Sequence, residues 1–401
     1  MANSILTPTA VTREILRVLH QKLNFVGSIN TQYDDQYAKK GAKIGNDLKI
    51  RLPNQYVVRT GATLDTQDTA EISTTLTVGT QKGVDLNFTS EDLTLDLDDF
   101  SKRIIQPAAS VLASVIEGDA LSMVKDVYNS VYNIGSALTF AKVLQARKTL
   151  VDNLAPSDDN RTALLNTQDT VDLVDALKGL FQSSGEISKQ YREGVMGKTS
   201  GFTFSENTLV PNFTSGTMVS GASGYVTTAA VSGGTAGNTT IPVSGAATTL
   251  VVGDVLTVSG LQRVHPETKE NTNVLQQFTV TAAFAGGSAS ISVSPTIWTS
   301  GGRQNVAATA AAAAPVVKLT GGASNILYPS IFYHKDAFAF ASADLLMPDG
   351  VDWASRQVMD GISIRIIRNY DINNDKFPCR LDVIYGYKTI RPQLAARVHS
   401  N

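Results

Sequence analysis

Residues 96–132 read DLDDFSKRIIQPAASVLASVIEGDALSMVKDVYNSVY, and this stretch decides the fold class. From Val111 to Val131 its apolar residues are spaced alternately by three and four positions, which is the period of an α-helix. Pro107 lacks a backbone donor, so either the long helix begins there or a shorter helix kinks there. A helix from Pro107 to Val131 would span about 37 Å, and Gly118 in its middle would cost about 1 kcal/mol relative to alanine. The sequence therefore predicts a long helix that depends on tertiary packing.

Residues 42–87 predict an extended loop ahead of this helix. Asp47–Leu52 alternates polar and apolar residues as a half-buried strand does, and Ser73–Val78 returns as a second strand. The polar run Thr60–Thr69 between them has little to bury, and two strands alone are marginal in water. We therefore expect support from outside the subunit, with a mobile surface loop as the alternative. The candidate contacts with a neighbouring copy are Arg59, Asp65, Asp68 and Glu71.

Between Thr214 and Val317 the composition changes abruptly. The chain has 34 Lys+Arg and 36 Asp+Glu, but only six of these charged residues lie in this segment. Short strands rich in Val, Thr and Ser are separated by turn signals such as Gly253-Asp254, which predicts a small all-β barrel or sandwich. The alanine run 307–314 is expected to be an exit connector. Because α+β sequence flanks both sides, residues 214–317 are interpreted as an inserted domain.

The remaining segments predict an α+β protein. An amphipathic helix through Leu23 is expected to begin at Thr9 or Thr12, and Asp169 or Thr170 is expected to cap a later helix. The other predicted elements are helices at 140–154 and 170–181, strands at 161–166 and 331–334, a turn into a short helix at 335–340, and antiparallel strands at 362–368 and 379–387.

No catalytic or ligand-binding constellation is present in the sequence. The four histidines lack the spacing of metal ligands (His20, His265, His334 and His399). There is no nucleophile elbow and no phosphate-binding loop. Paired carboxylates at 34–35, 98–99 and 158–159 are better explained as helix caps or solvated loops. We therefore predict no enzyme activity, no cofactor and no metal site.

Composition excludes several further classes of protein. A single cysteine, Cys379, excludes an internal disulfide framework. A net charge of −2 gives no global basic field for nucleic acid. The N-terminal residues lack the continuous apolar core of a signal peptide. No window of eighteen residues is apolar throughout, so no membrane span is expected.

Three stretches carry a resemblance to a known family. Thr7–Glu14 with Tyr33–Ala38 resembles the family's N-terminal arm, Phe88–Leu93 with Ile104–Ala108 resembles its approach to a spine helix, and Tyr385–Pro392 resembles its closing strand. The order of arm, extended loop, spine helix, α/β layer, β insertion and closing strands is similar to that of the major capsid proteins of tailed double-stranded DNA phages, which have the Hong Kong 97-type fold. The insertion makes the chain similar to the coat protein of phage P22 and its relatives.

This resemblance implies a domain organisation and a set of partners. It implies an N-terminal arm and helix (1–41), an extended loop (42–87), a peripheral domain with the spine helix (88–139), an axial domain (140–213 and 318–358), the insertion (214–317) and closing strands of the peripheral domain (359–401). It also implies hexamers and pentamers of a closed icosahedral virion shell, assembled in the bacterial cytoplasm with scaffolding protein and portal. Packaged double-stranded DNA without sequence-specific contact and decoration proteins complete the expected partners.

Two further expectations concern the spine helix and covalent chemistry. Pro107 and Gly118 are the expected bending points of the spine helix during shell expansion, because one lacks a backbone donor and the other a side chain. Some capsid relatives cross-link a lysine to an asparagine. Lys39, Lys40 and Lys43 lie near the extended loop but do not match that chemistry, so no cross-link is predicted.

Three other functions compete with a phage shell. A bacterial nanocompartment shell that encloses enzyme cargo shares the fold, but such shells usually lack an insertion like residues 214–317. A carbohydrate-binding or adhesive module would explain the β insertion and would leave the spine helix and extended loop unexplained. An enzyme has no constellation of residues in its favour.

Overall fold

The computed structural model describes residues 23–34, 46–64, 66, 71–89, 106–177, 197–219, 223–245, 247–359 and 361–400. The chain divides into two compact units. The first comprises residues 1–50, 73–121 and 338–390, and the second comprises residues 51–72, 122–337 and 391–401. The arm and helix predicted before Leu23 lie outside the described residues.

Few helices and many strands make up the described residues, which confirms the α+β class. The helices are α1 (Gln106–Leu121), α2 (Phe140–Asp152) and α3 (Thr167–Leu177). The strands are β1 (Asn30–Asp34), β2 (Asp47–Leu52), β3 (Ile72–Thr77), β4 (Thr80–Thr89), β5 (Ser130–Tyr132), β6 (Arg161–Leu165), β7 (Lys198–Thr199), β8 (Phe202–Glu206), β9 (Phe213–Thr214), β10 (Ser223–Thr227), β11 (Asn238–Gly245), β12 (Val255–Val264), β13 (Asn271–Val280), β14 (Ala289–Ile297), β15 (Pro315–Lys318), β16 (Ile326–His334), β17 (Phe338–Ala343), β18 (Trp353–Met359), β19 (Ile362–Arg368), β20 (Lys376–Thr389) and β21 (Ala395–Ser400).

The first unit is built on a six-stranded sheet. Its strand order is β1-β17-β20-β19-β18, and β4 pairs with β20. The antiparallel pair β19–β20 confirms the prediction for this region. The prediction of a turn into a short helix at 335–340 is only partly correct, because the structure has a single 3-10 turn, Lys335–Ala337. Phe338–Ala343 is a strand instead, because pairing with β1 on one side and β20 on the other satisfies its backbone and buries every residue.

A two-stranded sheet, β2–β3, forms the base of the extended loop, as the alternation in the sequence predicted. Leu76 and Val78 belong to an apolar cluster with Ala339, Ala341 and Ala343, and Leu48 and Ile50 pack against that cluster. A Cβ added to Gly386 would lie 2.1 Å from the carbonyl oxygen of Thr77, so only glycine lets the two segments approach this closely. The base of the loop is therefore stabilised by its own chain.

The central helix is shorter than predicted. α1 has 16 residues, which corresponds to about 24 Å, and it continues only as the 3-10 helix Ser122–Asp126. Residues 130–132 form β5, which runs parallel to β21. The Asn129 side-chain amide donates to the carbonyl oxygens of Ala395 (2.8 Å) and Gln393 (3.3 Å). These non-local bonds remove Val127–Val131 from the helix, so the predicted length of about 37 Å is wrong.

The second unit contains a seven-stranded sheet and helices α2 and α3. The strand order is β5-β21-β16-β6-β8-β7, and β9 pairs with β16. α2 and β6 confirm the predicted helix and strand. The predicted cap of α3 is wrong: the Asn166 side-chain oxygen accepts from the Asp169 backbone N–H at 2.7 Å, so Asn166 is the cap and Asp169 lies in the first turn.

Six strands of the second unit close into a barrel in the order β10-β11-β14-β13-β12-β15. Its interior holds buried apolar side chains such as Tyr225, Phe278 and Ile291. The alanine run is part of the barrel, because Ala310 is buried and pairs with Val231, and the run leads into β15 between β10 and β12. Its expected role as an exit connector is therefore wrong. The all-β structure agrees with the sequence, whereas independent folding of residues 214–317 stays a prediction.

Candidate assembly surfaces

The loop tip (residues 51–72) presents apolar side chains to solvent. Tyr56, Val58 and Leu64 are 56%, 88% and 78% exposed. Single exposed apolar residues are ordinary, but three of them on one loop with no core of its own form a surface of the kind that binds another protein. The sequence reasoning missed these residues, because it selected only charged side chains of this loop.

The four charged residues predicted as contacts behave differently from one another. The Arg59 guanidinium donates to the carbonyl oxygens of Gly61 and Thr63 (3.0 Å to Thr63), so it shapes the bend of its own loop. Glu71 pairs with Arg51 at 3.2 Å across the exposed loop. Asp65 and Asp68 lie outside the described residues. A role for any of the four in contacts between copies stays a prediction.

The spine helix α1 has a buried face and an open face. Leu112 and Ile116 are buried, whereas Val111 and Val115 are exposed. Pro107 is the second described residue of α1, and Gly118 lies in the interior of the helix. Apart from its chain neighbours and the backbone of its own helix, no described atom lies within 4 Å of a Cβ built on Gly118. Bending at either residue stays a prediction.

Carboxylates of α1 fix the helix within the first unit. Glu117 is fully buried and accepts the backbone N–H groups of Phe25 (2.5 Å) and Val26 (3.2 Å). Asp119 pairs with Lys82 at 2.6 Å and accepts the Tyr385 hydroxyl at 2.5 Å. Burial and the bond to Asp119 raise the pKa of Tyr385 far above its usual value. Both carboxylates therefore have a structural role, because they bind α1 to other segments of the same unit.

Polar side chains attach the barrel to the seven-stranded sheet. Gln277 of the barrel accepts the Ser130 N–H (2.6 Å) and donates to the Ser130 carbonyl (3.0 Å), so its amide completes the edge of β5. Arg397 is fully buried and donates to the carbonyl oxygen of Gly253 at 2.6 Å. Burial lowers the pKa of Arg397 to about 9, and burial beside Arg397 holds the pKa of His399 well below its usual value. Sequence reasoning missed this attachment, since it joins segments over a hundred residues apart.

The described histidines and carboxylates do not gather into a set of metal ligands. No group of three or more His, Cys, Asp or Glu side chains suited to a metal occurs among the described residues. His334 binds Asp158 at 3.1 Å. Burial would raise the pKa of Asp158, but hydrogen bonds from Asn160 and His334 outweigh it and hold that pKa at about 2. The pair therefore links the loop that contains Asp158 to the end of β16, which agrees with a structural role for this carboxylate.

One helical stretch, Pro107–Asp126, has the length and apolar composition of a membrane span. It comprises α1 after its first residue and the 3-10 helix that follows, and 56% of its most apolar 18-residue window is buried inside the protein. A buried core helix has the same length and composition. The stretch is therefore explained by its packing.

The long loop of this α+β chain carries exposed apolar side chains, which are suited to contacts with another protein. Sequence comparison then identifies the family. The profile described as "P22 coat protein - gene protein 5" matches residues 8–397. The chain belongs to this family. It is a phage major capsid protein, which assembles with copies of itself into the shell of the virion.

Comparison with solved structures found distant similarity to several chains, and comparison with curated proteins found no match. The chain is similar to a protein of Mycobacterium phage Che8, with 13% identity, a TM-score of 0.43, and coverage of 91% of this chain and 88% of that one. It is similar to the capsid of Cyanophage P-SCSP1u, with 10% identity, a TM-score of 0.44, and coverage of 93% and 89%. It is also similar to the virus-like particle from Pyrococcus furiosus, with 6% identity, a TM-score of 0.40, and coverage of 97% of each chain.

Proposed function

We propose that this coat protein builds a closed icosahedral shell of hexamers and pentamers around double-stranded DNA, and that its loop tip is a principal contact between copies. The observation that carries the second part is the exposure of Tyr56, Val58 and Leu64 on a loop without a core. Burying such side chains on a second copy removes apolar surface from water and contributes to the free energy of association.

The chemistry of the chain supports a container with no catalytic role. A net charge of −2 suits a wall that encloses DNA without gripping it, because strong phosphate binding needs many basic side chains. Scaffolding protein and portal act during assembly in the host cytoplasm, and decoration proteins bind the finished virion. No residue is assigned to any of these partners.

Electron microscopy of the purified product tests the shell and separates it from the nanocompartment alternative. We expect closed particles that, when isolated from infected cells, contain double-stranded DNA. Closed particles that hold an enzyme and no nucleic acid would favour the nanocompartment. Soluble monomers that never form particles under any assembly condition would contradict both.

Val58→Asp tests the loop tip, and Thr60→Asp is the matched control. Both changes add one carboxylate at an exposed position of the same loop, but only the first removes apolar surface. We expect Val58→Asp to give folded monomers with at least about tenfold fewer shells in sedimentation, because each contact between copies would lose apolar surface. Thr60→Asp should assemble nearly as the parent does.

Arg59→Glu extends this test to the charged candidates. We expect it to impair assembly too, because it removes the donor to Thr63 that shapes the loop as well as the charge offered to a neighbour. If Val58→Asp and Arg59→Glu both assemble normally at low and high salt, the loop tip is not a principal contact.

A further inference from the structure

The barrel and the loop tip approach each other closely at Gly302. A Cβ built on Gly302 would lie 2.5 Å from the carbonyl oxygen of Gln55 and 3.1 Å from its carbonyl carbon. A real side chain cannot approach a backbone oxygen so closely. Any residue other than glycine at position 302 must therefore move the loop tip or the barrel.

The barrel side of this contact is braced. The Asn305 side chain accepts the Trp298 N–H at 2.9 Å and donates to the Thr296 carbonyl at 2.8 Å. The Arg303 guanidinium lies over the Trp298 ring, 5.2 Å from its centre, where attraction between a cation and an aromatic face adds stability. Residues 298–305 thus form a stiff platform.

The loop side is compliant by comparison. Residues 55–64 are all exposed, so they have few buried contacts, and the Arg59 guanidinium binds carbonyl oxygens of its own loop. When a stiff surface meets a compliant one, the stiff surface decides the position of the contact. The platform therefore determines the path of the chain at Gln55, immediately before Tyr56 and Val58.

We propose that the platform around Gly302 is the seat for the chain's own loop tip, and that this seat fixes the direction in which Tyr56 and Val58 face a second copy. The first part concerns the single chain. The second part rests on the proposed role of the loop tip in assembly. The inserted barrel then has a positioning task in assembly, through one backbone contact.

Gly302→Val is a direct test, because the position needs no special backbone conformation. Gly302 is absent from the glycines with positive φ, whereas its neighbour Gly301 has φ of 81°. A substitution at 302 therefore tests space alone. Ser300→Val is the matched control, since Ser300 is exposed on the same platform.

Limited trypsin digestion of the unassembled monomer gives the readout. Arg59 is a cleavage site within the loop tip, and cleavage there follows how often the loop leaves its seat. We expect Gly302→Val to cleave about fivefold faster or more at Arg59, with an unchanged melting temperature, and Ser300→Val to cleave as the parent does. Gly302→Ala should give a smaller acceleration and serves if the valine variant fails to fold.

Three results would overturn parts of the proposal separately. Unchanged cleavage in both Gly302 variants would contradict the proposal that the platform holds the loop tip. Equal acceleration in Ser300→Val would contradict it too. Faster cleavage together with normal shell yield would support the contact within the monomer and would contradict its effect on assembly. If Val58→Asp also assembles normally, the loop tip's role as a contact fails, while the seat, measured on monomers, stands.

Discussion

The barrel and the loop tip both leave the two main sheets, but they are stabilised in opposite ways. The barrel closes six strands around its own apolar interior, so no strand edge of its sheet remains open. The loop tip follows only the two strands β2 and β3, and its apolar side chains stay exposed. A closed sheet can make a core for itself, whereas two strands cannot. The loop tip must therefore use surfaces that belong to other parts of the chain or to other copies.

A buried carboxylate completes the closure of the barrel. Asp254 accepts the N–H groups of Gly216 (3.0 Å) and Val251 (2.9 Å) and the hydroxyl of Thr320 (2.8 Å). It thus joins the segment that leads into the barrel to the segment that leaves it. The Lys318 ammonium adds bonds to the carbonyl oxygens of Gly216 (2.8 Å) and Gly322 (3.2 Å). Because Lys318, Thr320 and Gly322 follow residue 317, this cluster extends beyond the predicted boundary of the insertion.

The largest expected difference between the two regions comes from truncating one apolar side chain in each. Phe278→Ala should lower the free energy of unfolding by about 3–5 kcal/mol, because Phe278 is fully buried in the barrel and its removal leaves a cavity. Leu64→Ala should change it by less than about 0.5 kcal/mol, since Leu64 is exposed. Urea unfolding of the monomer, followed by fluorescence and circular dichroism, measures both. Similar losses in the two variants would break the comparison.

Replacing Asp254 is expected to cause the next largest loss in the free energy of unfolding. Asp254→Asn should cost about 2–3 kcal/mol, because the neutral amide loses the charge that strengthens the bonds from Gly216, Val251 and Thr320. Glu267→Gln is the matched control: it removes the same charge from an exposed position of the barrel and should be nearly neutral. A loss of the same size in the control would mean that net charge matters and that the buried cluster does not.

Two fragments sharpen the same point. Residues 213–323 include the whole Asp254 and Lys318 cluster, whereas residues 214–317 lack Lys318, Thr320 and Gly322. We expect the longer fragment to fold with strand-type circular dichroism and to melt cooperatively at a higher temperature than the shorter one. Two unfolded fragments would show that the barrel depends on its attachment through Gln277 and Arg397.

The sequence predicts the parts of the fold that depend on local patterns. Alternation placed β2, and turn signals placed an all-β structure where the barrel lies. Predictions failed where distant segments decide the outcome. Phe338–Ala343 is a strand because β1 and β20 flank it, and Val127–Val131 leaves the helix because β21 pairs with β5. Neither partner can be recognised from the local sequence.

The candidate surface shows the same division. Sequence reasoning selected the charged residues of the loop, but Arg59 and Glu71 bind groups of that loop itself. It did not select Tyr56 or Val58, because exposure depends on whether another segment covers a side chain. The contact between Gly302 and Gln55 joins residues far apart in the chain and has no signal in either segment.

The smallest expected effect concerns the spine helix α1. Like the barrel and the loop tip, its two faces differ in burial: one is packed inside the protein and the other is exposed. Gly118 lies on helix with open space around it, so Gly118→Ala adds a methyl group without a clash. The change should stabilise the monomer by about 0.5–1 kcal/mol, because alanine loses less backbone entropy in a helix. Equilibrium unfolding measures this gain, and Val111→Ala is a control at an exposed position of the same helix that already has a side chain.

The same variant tests whether α1 bends when the shell expands. A helix bends at least cost where it lacks a side chain, so filling Gly118 should change the temperature at which purified precursor shells expand on heating, as followed by gel mobility or light scattering. Val111→Ala alters helix propensity without changing a flexible backbone position, so its expansion temperature should stay close to that of the parent. If Gly118→Ala is folded, assembled and more stable, yet expands at the parent's temperature, then α1 acts as a rigid strut. The strain of expansion must then be absorbed elsewhere, and the compliant loop tip would be the first place to look.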